Sequence, residues 1–423
     1  MLRIYEKKDP DYAPRLAALC DRGAALPPEI DAAARQTIAE VRAGGDAALR
    51  ALTERFERRK LEAIELPAAE WDALAARTAP EVWAALEHAV RRVRAFHEKE
   101  RYPSFEIVEG GIRVGSRVAP LARVGIYVPG GSARYPSTVV MTAVPARVAG
   151  VKEIVMTTPG PSPETMAAAR IAGVDRVFVI GGAQAVAAMA YGTETVPRVD
   201  KIVGPGNAYV AAAKRLVFGD VGIDSIAGPT EVVIGADDSV DPRWIAADLL
   251  AQAEHDELAV PILVARGSTF ARAVAAEVEK ALAALPRRAI AEKAVANQGA
   301  IFVVDSDDEL VDAVNRLAPE HAELAVRGAA RLADRVTNAG AIFVGAHTPE
   351  PVGDYIAGPS HVLPTGGTTR FASPLGVSDF VKRTSIIEYS AEALARQAAD
   401  IERLTSVEAL DGHGRAVTIR TRG

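Results

Sequence analysis

Short β-branched runs separated by alanine-rich spacers constrain this 423-residue chain more than any other feature. One set lies at residues 124–128, 153–156, 176–180 and 201–203. A second lies at 231–234, 260–264, 300–304 and 341–344. Apolar strands alternating with helical segments predict βαβ units, and hence parallel sheets covered by helices on both faces. Four strands in each set predict an α/β protein of two similar Rossmann-like lobes that meet near residues 226–234, as an internal duplication would. The flanks read differently. Residues 11–100 are expected to be helical: after Pro80, Val82, Leu86, Val90, Val93 and His97 recur at three- and four-residue steps. Residues 30–56 carry a weaker helical period, broken at Gly44-Gly45. Beyond Pro374 a helix near 391–401 and a short tail through Ala416 and Ile419 are expected. The predicted division is therefore a helical N-terminal segment (1–102), a first α/β lobe (103–229), a second (230–373) and a small C-terminal segment (374–423).

Composition removes whole classes of function. Lys+Arg 49 against Asp+Glu 55, a net charge of -6, argues against nucleic-acid binding, which needs a basic face. No run of eighteen apolar residues predicts a membrane span. The longest uncharged window, 178–193, is broken by Gly181, Gly182 and Gln184 and reads as buried core. The first eight residues are charged and lack a signal-peptide apolar region, so a cytoplasmic protein is expected. One cysteine, Cys20, excludes an intramolecular disulfide and a cysteine-based zinc cluster. Neither a P-loop nor a Gly-x-Ser-x-Gly elbow is present. His255-Asp-Glu-Leu258 is internal, so it is no retention signal.

Several motifs can carry chemistry. Gly204-Pro-Gly206-Asn207 follows an apolar strand and opens an alanine-rich helix, with Asp224 twenty residues on. That is part of a dinucleotide fingerprint, but Tyr209 holds the third glycine position and Asp224 is not expected to follow a second strand. A helix N-terminus offering N–H groups to a ligand and a plain tight turn both remain open. Gln252 and His255 are three apart and are expected to share a helix face, as two metal ligands or as solvated surface. Pro319 predicts a helix start with Glu320 and His321 in its first turn. There the dipole favours a carboxylate and a neutral imidazole, which suits water activation and general-base work, although a Glu that merely caps the helix beside an exposed His is the simpler reading of the spacing alone. The turn-rich stretch 351–367 holds Asp354, a candidate metal oxygen, and His361, which can bond a substrate or brace the loop. Glu408 and His413 straddle Asp411-Gly412, where a turn can present both. His88 and His97 read as helix-face and helix-end residues.

Taken in order, these residues resemble histidinol dehydrogenase. Ile223-Asp-Ser-Ile-Ala-Gly-Pro-Thr-Glu231 followed by 246–255 is similar to the signature of that family. So are Ala318-Pro-Glu-His321, Gly353-Asp-Tyr355, His361-Val-Leu-Pro-Thr365 and Glu408…His413, and also Tyr127-Val-Pro-Gly-Gly131, Gly181-Gly-Ala-Gln184 and Gly204-Pro-Gly-Asn207. The resemblance runs nearly end to end, weakest in the first hundred residues. It implies oxidation of L-histidinol to L-histidine with two NAD, the last step of histidine biosynthesis. It implies one Zn²⁺ per site held by Gln252, His255, Asp354 and His413, with His321 as general base and Glu320 activating water. Substrate contacts are implied at Thr230, Gln252, His255, His321, Asp354, Glu408 and His413, and NAD contacts at Tyr127, Gln184 and Asn207. It also implies a homodimer in which Glu408 and His413 enter the site of the second copy. Two departures stand out: Thr230 replaces the common serine and keeps the hydroxyl, and Ser360 stands where asparagine is frequent. A zinc hydrolase would use the same Glu and metal without a nicotinamide, and a metal-stabilised binding protein would turn nothing over. Gln184 and Asn207 at strand ends, apart from the metal ligands, speak for a second ligand. A Glu-His pair has no use beside a purely structural zinc.

Overall fold

The computed structural model describes residues 2–23, 27–130 and 134–422. Parallel strands need helical crossovers, and the chain supplies them twice. Numbered along the chain, the strands among the described residues are β1 (Ile4–Tyr5), β2 (Glu65–Leu66), β3 (Phe105–Glu109), β4 (Ile112–Pro120), β5 (Arg123–Tyr127), β6 (Glu153–Thr157), β7 (Arg176–Phe178), β8 (Lys201–Val203), β9 (Gly222–Ile223), β10 (Glu231–Ala236), β11 (Val260–Arg266), β12 (Ala300–Val304), β13 (His321–Ala325), β14 (Ala341–Val344) and β15 (Val381–Tyr389). One sheet has the order β2-β7-β6-β5-β8-β9 and the other β1-β12-β11-β10-β13-β14. The two orders agree position by position. Each begins with a two-residue edge strand from the N-terminal segment, and each reverses direction of growth beside its first core strand, between β5 and β8 or between β10 and β13. All neighbours are parallel except β2 on β7. The expected pair of similar lobes is thus present in the topology.

Four strands per lobe is an undercount. β9 and β13 extend the sheets on one side, and β1 and β2 close them on the other. β13 is the important one, because it corrects the helix start expected at Pro319. The helix Asp307–Leu317 ends at Ala318, which turns left-handed (φ 45°) and bonds back to Val314 O at 2.9 Å. A proline just past a left-handed cap blocks continuation of the helix that precedes it. Glu320 and His321 therefore lead into a strand and not into a first helical turn.

The flanking helices follow their periodicity. Pro80–His97 buries Leu86, Val90, Val93 and His97, and Pro28–Glu57 kinks at Gly45 (φ 51°, ψ −134°), where the Gly-Gly break falls. A third sheet, β15-β4-β3, is antiparallel and was not expected; its Ile107, Val108 and Ile387 are exposed. The C-terminal segment is a pair of helices, Ala391–Val407 and Asp411–Thr421, so the expected tail is helical. Among the described residues no helix is long and apolar enough to cross a membrane.

The second lobe is pinned to its N-terminal strand by aromatics. Phe302 on β12 is fully buried, with Tyr5 stacked on it and Tyr12 edge-on, both at 5.4 Å between ring centroids. Phe302→Ala should lower the unfolding free energy by about 3–5 kcal/mol, read from urea denaturation. A loss under about 1 kcal/mol would mean that this contact does not hold β1.

Candidate active site

The site grows from the ladder between β10 and β13. Val232 pairs with His321, so Glu231 and Glu320 lie side by side at the amino ends of two buried strands. Two carboxylates so close need compensation. Glu231 has it: Arg22 donates to it bidentately at 2.9 and 2.6 Å, and the Gly366 N–H at 2.7 Å. Arg22, which the sequence reading passed over, thus pairs with Glu231 beneath the site. Glu320 has no cation among its hydrogen-bond partners. Its Oε2 accepts from Thr230 Oγ1 at 2.6 Å and from the Glu231 N–H at 2.9 Å. Burial, aided by the charge of Glu231, nevertheless pushes its pKa well above the ordinary carboxylate range. Glu320 therefore holds a proton more firmly than an ordinary carboxyl does.

His321 is held in one tautomer. Its Nδ1 lies 3.0 Å from the carbonyl oxygen of Glu231, which can only accept, so Nδ1 carries the proton and Nε2 keeps the lone pair. Nε2 is buried without a hydrogen-bond partner among the described residues, 4.0 Å from Glu350 Oε1. Burial lowers the His321 pKa to about 4, against the opposing charge of Asp354, so the ring is neutral. His321, Glu350 and Asp354 offer ligand atoms within 4.8 Å of one another. His255 and His361 also lie within electrostatic range of His321. Burial lowers the pKa of His361 too.

Gln252 ends the helix Pro242–Ala253 and is fully buried, so it is not a solvated surface residue. His255 is exposed and lies beyond the end of that helix, with its N–H bonded to Gln252 O at 3.3 Å. The pair shares a helix end and not a helix face. The Gln252 amide bridges Thr230 Oγ1, at 2.6 Å, and Glu350, whose Oε2 and Oε1 lie 2.9 and 3.3 Å from the other end. With nitrogen toward Glu350 the amide is satisfied unaided. With oxygen there, acceptor faces acceptor, and either a cation between them or a proton on Glu350, whose pKa burial pushes well above the ordinary range, satisfies the contact. The Thr230 hydroxyl has one proton and gives it to Glu320, which leaves it to accept from the amide nitrogen. This second orientation aims the Gln252 oxygen at the carboxylates. An amide oxygen, a carboxylate from Asp354 and imidazole nitrogen are donors that suit Zn²⁺, so the residues present fit that metal.

Asp354 sits in the helix Glu350–Tyr355, whose first N–H, of Glu350, is bonded to Glu323 Oε1 at 2.7 Å. Glu350 is 2% exposed and was not singled out from sequence. Glu323 faces Asp248: burial, with the Asp248 charge, pushes Glu323 up to about 8, and burial pushes Asp248 up to about 6. Glu408 caps one C-terminal helix and His413 lies in the next, either side of Ala409 (φ 55°), so a turn does present both. Both are exposed and make no hydrogen bond or ion pair with the residues above, among the described residues. His88 is exposed, and His97 is buried with Nδ1 2.6 Å from Glu100 Oε2.

The expected cofactor residues gather at the carboxyl ends of strands in the first lobe. Tyr127 ends β5 and its hydroxyl accepts from the Gly182 N–H at 3.0 Å; Gln184 is buried in the helix Gly182–Tyr191. Asn207 caps the helix Ala208–Val217, accepting from the N–H groups of Tyr209 and Val210 at 3.1 and 3.2 Å. β5 and β8 flank the point where strand order reverses, which in open α/β sheets opens a ligand crevice. Gly131 of the Tyr127 motif lies outside the described residues. Asp224 does follow a strand, β9, contrary to expectation, because β9 is too short to read from sequence.

Two outcomes follow. Arg22→Met strands the Glu231 charge and should cost about 3–5 kcal/mol of stability, recovered in part by adding Glu231→Gln; a loss below about 1 kcal/mol would show that the pair is not needed. Acids raised on folding stabilise only while protonated. The Asp248–Glu323 contribution is thus full below pH about 4 and fades as pH rises through about 6 to 8. In chelator-treated protein Glu323→Gln should flatten that decline of the urea midpoint, and an unchanged slope would contradict the assignment.

Comparison with known proteins follows the same lines. The histidinol dehydrogenase family model matches residues 21–421. A relative from Geobacter sulfurreducens named histidinol dehydrogenase is 51% identical over 427 residues, spanning 99% of this chain and 100% of its own. One of the same name from Aquifex aeolicus is 49% identical, spanning 99% of each. The crystal structure of histidinol dehydrogenase from Elizabethkingia anophelis superposes with a TM-score of 0.93 at 32% identity, over 99% of this chain and 98% of that one. With its sequence matched along almost its whole length and its fold matched as closely, the chain belongs to the histidinol dehydrogenase family of oxidoreductases.

Proposed function

We propose that the chain oxidises L-histidinol through L-histidinaldehyde to L-histidine, using two NAD in succession, and so catalyses the last step of histidine biosynthesis in the cytoplasm. The observation that carries this reading is the buried His321 ring, fixed in one tautomer with an unpartnered Nε2 beside Glu320, Glu350 and Asp354. Gln252, His255 and Asp354 would hold zinc, and His413 of a second copy would be the fourth ligand. Zinc supplies a Lewis acid that polarises the substrate oxygen, and NAD, against Tyr127, Gln184 and Asn207, supplies the hydride acceptor.

The chain's own residues handle the protons. His321 Nε2 takes the alcohol proton as the C–H bond gives up its hydride, and the Glu231 carbonyl holds Nδ1–H so that the ring cannot rotate away. Glu320 takes a proton from the water that adds to the aldehyde. Once His321 has passed its first proton to solvent, the hydrate anion loses its remaining O–H proton to Nε2 as the second hydride departs to the second NAD, leaving the carboxylate. Thr230 orients Glu320 throughout through its 2.6 Å bond. Cys20 is half-buried at the end of the helix Tyr12–Cys20, and burial raises its thiol pKa, so in this reading it is a poor thiolate nucleophile and takes no part in the second oxidation.

In this reading residues 230–373 carry the chemistry, 103–229 the cofactor, and 374–423 reach the other protomer. The exposed apolar side chains of Leu404, Val407 and Ile419 on the terminal helices support a homodimer, since they leave a face without a cover in one chain. Zinc-restored protein should form two NADH per L-histidinol consumed. One NADH would mean that the aldehyde escapes and Glu320 is misread, and none with zinc bound would point to a hydrolase or a binding protein. His321→Ala should abolish turnover with zinc content intact, whereas loss of zinc would make His321 a ligand. His413→Ala should lose the metal, and full zinc with full activity would remove it from the site.

A further inference from the structure

Lysine is rare in a fully buried position unless it is paired, and the first lobe contains one. Lys214, 2% exposed, lies on the helix Ala208–Val217 among buried alanines and valines. Its Nζ donates to Gly204 O at 3.0 Å and pairs with Asp224, whose side chain is also buried. Asp224 Oδ2 in turn accepts from the Gly204 N–H at 2.7 Å, and Oδ1 from the Ser225 N–H at 2.7 Å. One ion pair thus grips both polar groups of Gly204, the first residue of the Gly204-Pro-Gly206-Asn207 turn. The grip holds that turn against the end of β5. Gly204 has φ 110°, and a Cβ there would stand 2.3 Å from Tyr127 O.

We propose that the buried Lys214–Asp224 pair positions the turn 204–207 over the end of β5 for binding of the dinucleotide, and so sets affinity for NAD without touching it. This rests on the reading that NAD occupies the first-lobe crevice. The geometry favours positioning over simple adhesion. β8 and β9 are already joined by their own ladder, and the helix that follows β8 is capped by Asn207. The pair also ties the helix Ala208–Val217 to the segment after β9. What it adds beyond that tie is two hydrogen bonds to a single glycine at the mouth of the crevice, at the cost of two buried charges. Burying an ion pair gains little in stability over apolar packing, so the return lies in the fixed turn.

The test uses the zinc-loaded enzyme and NADH as the probe. The double variant Lys214→Met/Asp224→Asn removes both charges together, keeps an acceptor for the Gly204 N–H and leaves no unpaired ion. It should raise the KM for NAD and the dissociation constant of NADH, from fluorescence titration, by roughly tenfold or more. The KM for histidinol and the zinc content should stay within about twofold of wild type, since the second lobe is untouched. Asn207→Ala is run beside it. If Asn207→Ala weakens NADH and the folded double variant does not, the positioning role is overturned. If Asn207→Ala also leaves NADH unaffected, the crevice itself is misassigned and the proposal falls with it. Equal losses for NAD and histidinol would indicate general loosening and would also refute it. Should the double variant not fold, Asp224→Asn alone carries the test. Its single amide oxygen cannot serve the glycine N–H and the ammonium as the carboxylate does, so unchanged NADH affinity there refutes the role.

Discussion

Everything at the catalytic centre depends on how two strands begin. The parallel ladder of β10 and β13 sets Val232 opposite His321, which leaves Glu231 and Glu320 adjacent, buried and of like charge. Like carboxylates that close cannot share one environment, and the fold separates them. Arg22 and two backbone N–H groups claim Glu231, while Glu320 is given only a hydroxyl and one N–H. One is paired with a cation and the other is left to hold a proton more firmly, the kind of asymmetry that separates paired titratable groups. The same backbone then serves twice: the carbonyl of Glu231 holds His321 Nδ1, so tautomer and ring orientation follow from strand register with no further residue needed.

The two lobes share one topology and use opposite ends of it. In the first, Tyr127 and the turn after β8 stand at carboxyl ends, where open α/β sheets ordinarily bind ligands. In the second, Thr230, Glu231, Glu320 and His321 stand at amino ends. Chain continuity requires this. β9 ends at Ile223 and β10 begins at Glu231, so the carboxyl end of one sheet is only a short connection from the amino end of the next. Gly228 within that connection is tied to Thr365 Oγ1 by a 2.6 Å bond. A duplicated α/β unit joined in this way brings a loop-rich ligand crevice toward a rigid pair of strand starts. Loops and helix N-termini suit a polyanionic cofactor, and strand ends locked by a ladder suit groups that must hold a proton acceptor in place.

The core strands were legible in sequence because parallel strands buried on both faces are continuous apolar runs. β13 was not, since His-Ala-Glu-Leu-Ala spends two positions on the site and carries no β-branched residue. Pro319 compounded this by resembling a helix start, when it follows the left-handed residue that ends one. β1, β2 and β9 have two residues each, too few for any period to show. At the site, Gln252, His255, Glu320, His321 and Asp354 were named from motifs and order. Arg22 and Glu350 were missed for a common reason: each is defined by a partner far along the chain, Glu231 at one remove and Gln252 and His321 at the other. Nothing local marks them.

The C-terminal helix pair shows the limit of a single chain most clearly. Its helices pack on each other through few buried positions, Ala393 and Ala398 in the first and none in the second. Leu404 and Val407 stand 65% and 86% exposed. An element that buries so little has no local reason to keep one orientation. In the proposed function Gln252, His255 and Asp354 would supply three donors where a tetrahedral zinc needs a fourth. A second copy that covers the apolar face and delivers His413 answers both deficits with one contact. On that reading the terminal helices are stable because they are used: the interface that buries Leu404 and Val407 is the same one that completes the metal site, so assembly and activity are coupled through a single surface.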